Sequence, residues 1–145
     1  MQRRELIALA GAVALTGGRS PLNAQTSGEM HPPKYKALEE STAKCVSTGE
    51  DCLRHCLGMM AMKDTSMAAC TDSIVQLVAA CRALQTLASV NSKFTPAFAK
   101  DVAAVCVNCE NECRKFYDKY SVCKACADAC RTCAADCRTV SDPSI

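Results

Sequence analysis

At 145 residues the chain can build one compact domain, and its formal charge of +2, with no basic run longer than two residues, leaves no electrostatic footprint for nucleic acid. Thirteen cysteines, about nine per cent of the chain, place it among disulfide or metal scaffolds. With three Phe, three Tyr and no Trp, large side chains cannot be what fills its core.

Residues 1–24 read as an export signal. Arg3 and Arg4 precede an apolar run, Leu6 to Leu15, that is too short and too glycine-flanked for a membrane span. Gln2-Arg3-Arg4-Glu5-Leu6-Ile7 resembles the twin-arginine signal of proteins exported already folded, which would place the mature chain in the periplasm. An ordinary secretory signal with a chance arginine pair is the plainer alternative. A cut after Ala24 puts Leu22 where a small residue is usual, so the exact site stays open. Such a cut leaves fourteen basic and fourteen acidic residues. No cysteine precedes Cys45, which excludes lipoprotein anchoring, and no later apolar run has spanning length, so the mature chain is expected to be soluble.

Residues 25–32 form a polar linker, and His31-Pro32-Pro33 delays any helix. A first helix is expected over 33–62, with Leu38, Cys45, Cys52, Cys56 and Met59 facing inward and His55 and Met62 beside them. Gly49 inside it weakens the helix and calls for a close neighbour, either a helix or a ligand. Asp64 or Thr65 is a candidate N-cap for a second helix reaching about residue 90. Its seam, Cys70, Ile74, Leu77, Cys81, Leu84 and Ala88, alternates steps of four and three. Thr95-Pro96 reads as N-cap and first-turn proline of a third helix to about residue 120. Ala99, Val102, Cys106, Cys109, Cys113, Phe116 and Tyr120 would face inward from it.

The fourth segment, capped by Ser121 and running to about residue 140, carries the densest pattern, CKACADACRTCAADC over residues 123–137. Its five cysteines, Cys123, Cys126, Cys130, Cys133 and Cys137, recur at three, four, three and four, which returns every thiol to one helical face. Short connections make sequential helices antiparallel neighbours. The expected fold is all-α, an up-down-up-down antiparallel four-helix bundle over 33–145 with a cysteine-lined core.

Sulfur on this scale needs a reason. Cysteine packs as a small hydrophobe, but thirteen of them on facing seams forfeit about 0.8 kcal/mol per missing buried methylene, so a core filled by nothing else should pack poorly. A disulfide scaffold fits badly with an odd count and with helical spacing that projects neighbouring thiols along one face. Thiolates select Cu(I), zinc or iron–sulfur clusters. The run lacks the proline and spacing of iron–sulfur motifs. Zinc in four-thiolate sites would use the thirteen for about three ions, each site at formal charge −2. Buried charge is expensive, whereas one Cu(I) per thiolate is neutral, and a C-x₂-C or C-x₃-C pair can supply the two sulfurs Cu(I) accepts. The residues thus favour many Cu(I) ions. Neutral donors His55, Met59, Met62 and Met67 gather at one end and read either as a weaker loading site or as end-of-core packing. Met60 points elsewhere, and Met30 and His31 lie in the linker; none of the three is taken as a ligand.

The thirteen seam cysteines, the 123–137 helix, the His55/Met59/Met62/Met67 end and the paired-arginine leader together resemble the exported four-helix-bundle copper storage proteins of methane-oxidising and other bacteria. That resemblance implies Cu(I) held along the bundle interior, assembly into a homotetramer, and supply of copper to a copper enzyme such as particulate methane monooxygenase. It implies storage rather than catalysis. The residues agree: two histidines, neither beside an acidic pair, and no glycine-rich phosphate loop offer no catalytic constellation. Two alternatives stand beside it. One is a zinc or thiol buffering bundle. The other is a thiol redox protein, for which Cys123, nearest a helix N-terminus, would be the reactive thiol.

Overall fold

The computed structural model describes residues 31–142. The expected leader (1–24), most of the linker and residues 143–145 lie outside the described residues. Four helices follow one another: α1 (Lys36–Ala61), α2 (Ala68–Ser89), α3 (Thr95–Arg114) and α4 (Ser121–Ser141). Each packs on the next and α4 closes back onto α1, while the backbones of the diagonal pairs stay apart and meet only through side chains on the axis. The four stand as a square around one axis, the up-down-up-down bundle expected from the connections. None of these helices is long and apolar enough to cross a membrane.

The seams are buried as their spacing requires. Leu38, Ile74, Leu77, Leu84, Ala88, Ala99 and Val102 lie inside with all thirteen cysteines, none more than 1 % exposed. The larger apolar side chains Leu38, Leu84 and Val102 gather toward the end where α1 and α3 begin; the sulfur occupies the rest. Phe116 and Tyr120, expected inward on α3, are half-buried and pack on the core from its opposite end.

The helix boundaries differ from the expected ones where turn chemistry claims a capping residue first. α1 starts at Lys36, not at Pro33, because Lys34 N–H donates to Asn91 Oδ1 at 2.8 Å and Asn91 Nδ2 donates to the Pro32 carbonyl at 3.1 Å. That pair of bonds straps residues 32–34 to the α2–α3 turn. Asp64 does not cap α2: its carboxylate accepts the Ser66 N–H at 3.0 Å, a local Asx turn, and Met67 takes the cap position. Thr95 is already helical behind Phe94, because Ser92 supplies the bonds of that turn, accepting from Phe94 N–H and Thr95 N–H. α3 ends at Arg114, six residues before the expected end. Residues 115–119 tighten into turns, and an extended Tyr120 (φ −133°, ψ 120°) reverses the chain as the cap of α4 in place of Ser121. Lys63 and Asn91 take left-handed conformations after α1 and α2 (φ 66° and 52°), the usual way a helix end is closed off.

Gly49 has the close neighbour its position called for, and it is a helix. A Cβ there would stand 3.0 Å from Val78 Cγ2 and 3.5 Å from Leu77 Cδ2, both on α2. Gly58, nine residues on, has nothing within 4 Å of that position. The two glycines should therefore respond oppositely in thermal denaturation followed by circular dichroism. Gly58→Ala should stabilise the metal-free bundle by about 0.5–1 kcal/mol through helix propensity. Gly49→Leu should destabilise it by at least about 1–3 kcal/mol by wedging α1 from α2.

Candidate metal centre

The four seams bring every thiol to the axis, and all thirteen are free cysteines. Sulfur meets sulfur directly. Cys52 Sγ donates to Cys123 Sγ at 3.6 Å, and Cys70 and Cys113 stand at the same distance. Cys81–Cys106 and Cys109–Cys126 approach to 4.0 Å between helices, as do Cys109–Cys113 and Cys133–Cys137 along one helix. Thiols of facing helices thus meet across the axis, and Gly49 lets α1 approach α2 closely beside them.

Four sets of sulfurs lie mutually within 4.8 Å. Cys45, Cys81, Cys106 and Cys133 bring one thiol from each helix. Cys52, Cys56 and Cys70 join α1 to α2; Cys52, Cys113 and Cys126 join α1, α3 and α4; Cys109, Cys126 and Cys130 join α3 to α4. Cys52 and Cys126 each belong to two sets, so three of the four sets are linked to one another, and the four-helix set stands apart. With a metal–sulfur bond of about 2.3 Å, two sulfurs on one ion are about 3.8 Å apart in a tetrahedron and about 4.6 Å apart in a line. Separations of 3.6 to 4.8 Å cover that whole range. The centre thus holds the donor set of a multi-ion thiolate site, for soft cations only.

Of the seventeen side chains expected as ligands, thirteen thiols and three of the four neutral donors converge on the core. Met67, at the cap of α2, is fully buried, and Met59 is half-buried against the core. His55 is half-buried with its ring 4.3 Å from that of Tyr120, and its Nε2 is buried without a hydrogen-bond partner among the described residues. A buried ring nitrogen left unpaired is a candidate metal donor. Met62 is different: α1 ends at Ala61, and Met62, at the C-cap, is 69 % exposed. It lies on the rim. Met60 faces outward and accepts from the Thr71 hydroxyl at 3.5 Å, and His31 is exposed. The sequence reading missed two hydroxyls beside the sulfur. Thr71 donates to the Met67 carbonyl at 2.9 Å, and the buried Ser73 donates to the Cys70 carbonyl at 2.8 Å. Their positions one and three residues after Cys70 were the available signal.

The thiols do not titrate alike. Burial first, then the charges of Cys52 and Cys70, push Cys56 up. Cys45 is held up chiefly by its neighbour Cys106, and Cys113 and Cys126 chiefly by Cys109. Nine thiols move up in all. Three move down: Cys109 chiefly through Cys113, Cys133 chiefly through Cys106, and Cys52, to about 4, chiefly through Cys113 and against its own bond to Cys123. Protonated donors surround a few thiolates, and a cation entering the core replaces protons rather than adding charge.

Outside, ion pairs lace α3 to α4. Arg131 bridges Glu110 at 3.0 Å and Asp128 at 3.3 Å, and Asp128 also takes Lys124 at 2.8 Å and the Tyr117 hydroxyl at 3.0 Å. Arg82 of α2 pairs with Glu50 of α1.

A square helical bundle with thiolate sets along its axis defines a soft-metal store. The model of the copper storage protein family matches residues 31–142, which covers the whole bundle, and the chain belongs to that family. Among solved structures it is similar to the metal-free form of copper storage protein 3 from Bacillus subtilis. The two share 25 % identity with a TM-score of 0.65, over 74 % of this chain and 98 % of the other. No curated protein matches the chain.

The raised thiols make the metal-free bundle sensitive to alkali. A thiol held protonated by the fold contributes its full stability below the unfolded value near 8.5 and loses it as pH rises toward the folded value. The three lowered thiols add nothing further above that pH, since they are ionised in both states. Under reductant and without oxygen, the melting temperature of the metal-free protein should therefore fall from about pH 8.5 upward, the unfolding free energy dropping by up to about 1.4 kcal/mol per pH unit for each raised thiol. A flat profile to pH 10 would contradict the buried-thiol assignment.

Proposed function

We propose that this protein stores copper as Cu(I), one ion for about each thiolate, along the interior of the bundle. The observation that carries the reading is the density of the sulfur: thirteen buried free thiols, eleven of them in four close sets, three of which are linked through Cys52 and Cys126. Shared sulfurs suit bridging thiolates, and bridging at one Cu(I) per sulfur keeps a water-free core neutral. Family membership supports storage rather than catalysis.

The same reading assigns the softer end its role. His55, Met59 and Met67, with Met62 at the rim, offer weaker neutral donors through which Cu(I) passes to the thiolates. The leader over 1–24 would send the folded, reduced bundle by the twin-arginine route to the periplasm. There it would assemble as a homotetramer and hold copper for an enzyme such as particulate methane monooxygenase.

Zinc buffering is the second reading, favoured by one feature: Cys45, Cys81, Cys106 and Cys133 are four thiols from four helices, the number a structural zinc takes. A thiol redox role centred on Cys123 has less support. That thiol is fully buried and is raised to about 11: its bond with Cys52 lowers it, but Cys70 and burial outweigh that effect.

An anaerobic Cu(I) titration against a competing chelator, followed by gel filtration, tests the proposal. Retention of copper near the cysteine number is expected. Cys126→Ala/Cys130→Ala/Cys133→Ala should lower that capacity by about three ions while helix content survives; retention of only one or two ions by the unaltered protein, or a preference for zinc at three per chain, would overturn the reading.

A further inference from the structure

We propose that the metal-free chain also reduces Cu(II), using two cross-helix thiol pairs, Cys52–Cys123 and Cys70–Cys113, as a four-electron source. These are the shortest of the thiol–thiol hydrogen bonds, 3.6 Å each, against 4.0 Å for the others. One joins α1 to α4 and the other α2 to α3. A disulfide needs sulfurs about 2.05 Å apart at a torsion near 90°. Partners on facing helices can close that gap by small rotations of both side chains. Cys109–Cys113 and Cys133–Cys137 project from one helix in parallel and cannot reach the torsion as readily.

The step balances. In each pair the two sulfurs pass one electron each to two Cu(II) ions, forming one S–S bond and two Cu(I), and the S–H protons are released to solvent. Both pairs together convert four Cu(II). No other oxidant is needed, and the reaction is stoichiometric, ending when the pairs are spent.

Placement is what makes this useful to a store. Both pairs lie toward the end where α1 and α3 finish, near Met67 and the unpaired Nε2 of His55. Oxidising them removes Cys52, Cys70 and Cys113 from two of the four sulfur sets. The other two sets, Cys45/Cys81/Cys106/Cys133 and Cys109/Cys126/Cys130, keep every member. The end that meets oxidised copper would spend its thiols, while sulfur further along the axis stays reduced and takes the Cu(I) produced. Thiolate ligation favours Cu(I) over the harder Cu(II) and pulls the reaction forward. The fate of the product rests on the storage reading; the electron transfer does not.

The test adds cupric sulfate to the reduced, metal-free protein without oxygen or other reductant. Loss of the Cu(II) paramagnetic signal, free thiols in denaturant after the copper is stripped, and the disulfide peptide map are measured together. Four Cu(II) should disappear per chain, four thiols should be lost, and the bridges should map to Cys52–Cys123 and Cys70–Cys113. The variant Cys70→Ser/Cys123→Ser should lose this reduction. Fewer than four equivalents, bridges elsewhere, or undiminished reduction in a variant that folds would overturn the inference; if the variant does not fold, the map of the unaltered chain decides alone. Parallel loading with preformed Cu(I) separates the two proposals. Cu(I) retained without Cu(II) reduction defeats this inference alone, and Cu(II) reduced without Cu(I) retained defeats the storage reading alone.

Discussion

Everything in this molecule depends on keeping sulfur out of water without burying net charge. A thiolate inside a protein is costly unless a cation or a donated hydrogen bond answers it. In the metal-free bundle protons shared between neighbouring sulfurs give that answer, as where Cys109 lies 4.0 Å from both Cys113 and Cys126. A monovalent soft cation can take the place of each proton with no change in the charge of the core. Protons and soft monovalent cations can thus answer the same sulfurs.

That equivalence asks the backbone to hold position while small side chains do the packing. Cysteine and alanine cannot interlock as leucine does, so the helices must come close. Gly49 lets α1 settle against Val78 and Leu77. Ala127, Ala129 and Ala134 are buried between the cysteines of α4. The outer face of α3 and α4 is then laced by Glu110, Arg131, Asp128, Lys124 and Tyr117. Exposed ion pairs of this kind contribute little one by one, but they register the two helices that supply eight of the thirteen thiols.

The seams could be read from the sequence because steps of three and four leave a helix no choice of face. Every cysteine assigned inward is inward. Partnership was not legible: Cys52 and Cys123 are 71 positions apart, and only the closing contact between α4 and α1 brings them together. The helix ends were misjudged for a related reason. Asp64, Thr95 and Ser121 all carry the oxygen of a capping residue, yet an Asx turn, the Ser92 turn and the extended Tyr120 respectively settle those junctions. Met62 follows from the same shortfall, since a helix that stops at Ala61 leaves its neighbour on the surface. Local spacing carries long-range information only where it constrains a face; it does not say which competing turn bond will win.

At the end opposite the histidine, Leu38, Leu84, Ala88, Val102 and the fully buried Thr95 fill the space between the helices. The sulfur is thus floored by apolar side chains at that end. In a store loaded from the histidine end, as proposed above, ions would leave in the reverse of the order in which they arrived, and those nearest the apolar floor would exchange most slowly. Such a reservoir would keep two kinds of stock, a working fraction near the histidine and a reserve beneath it.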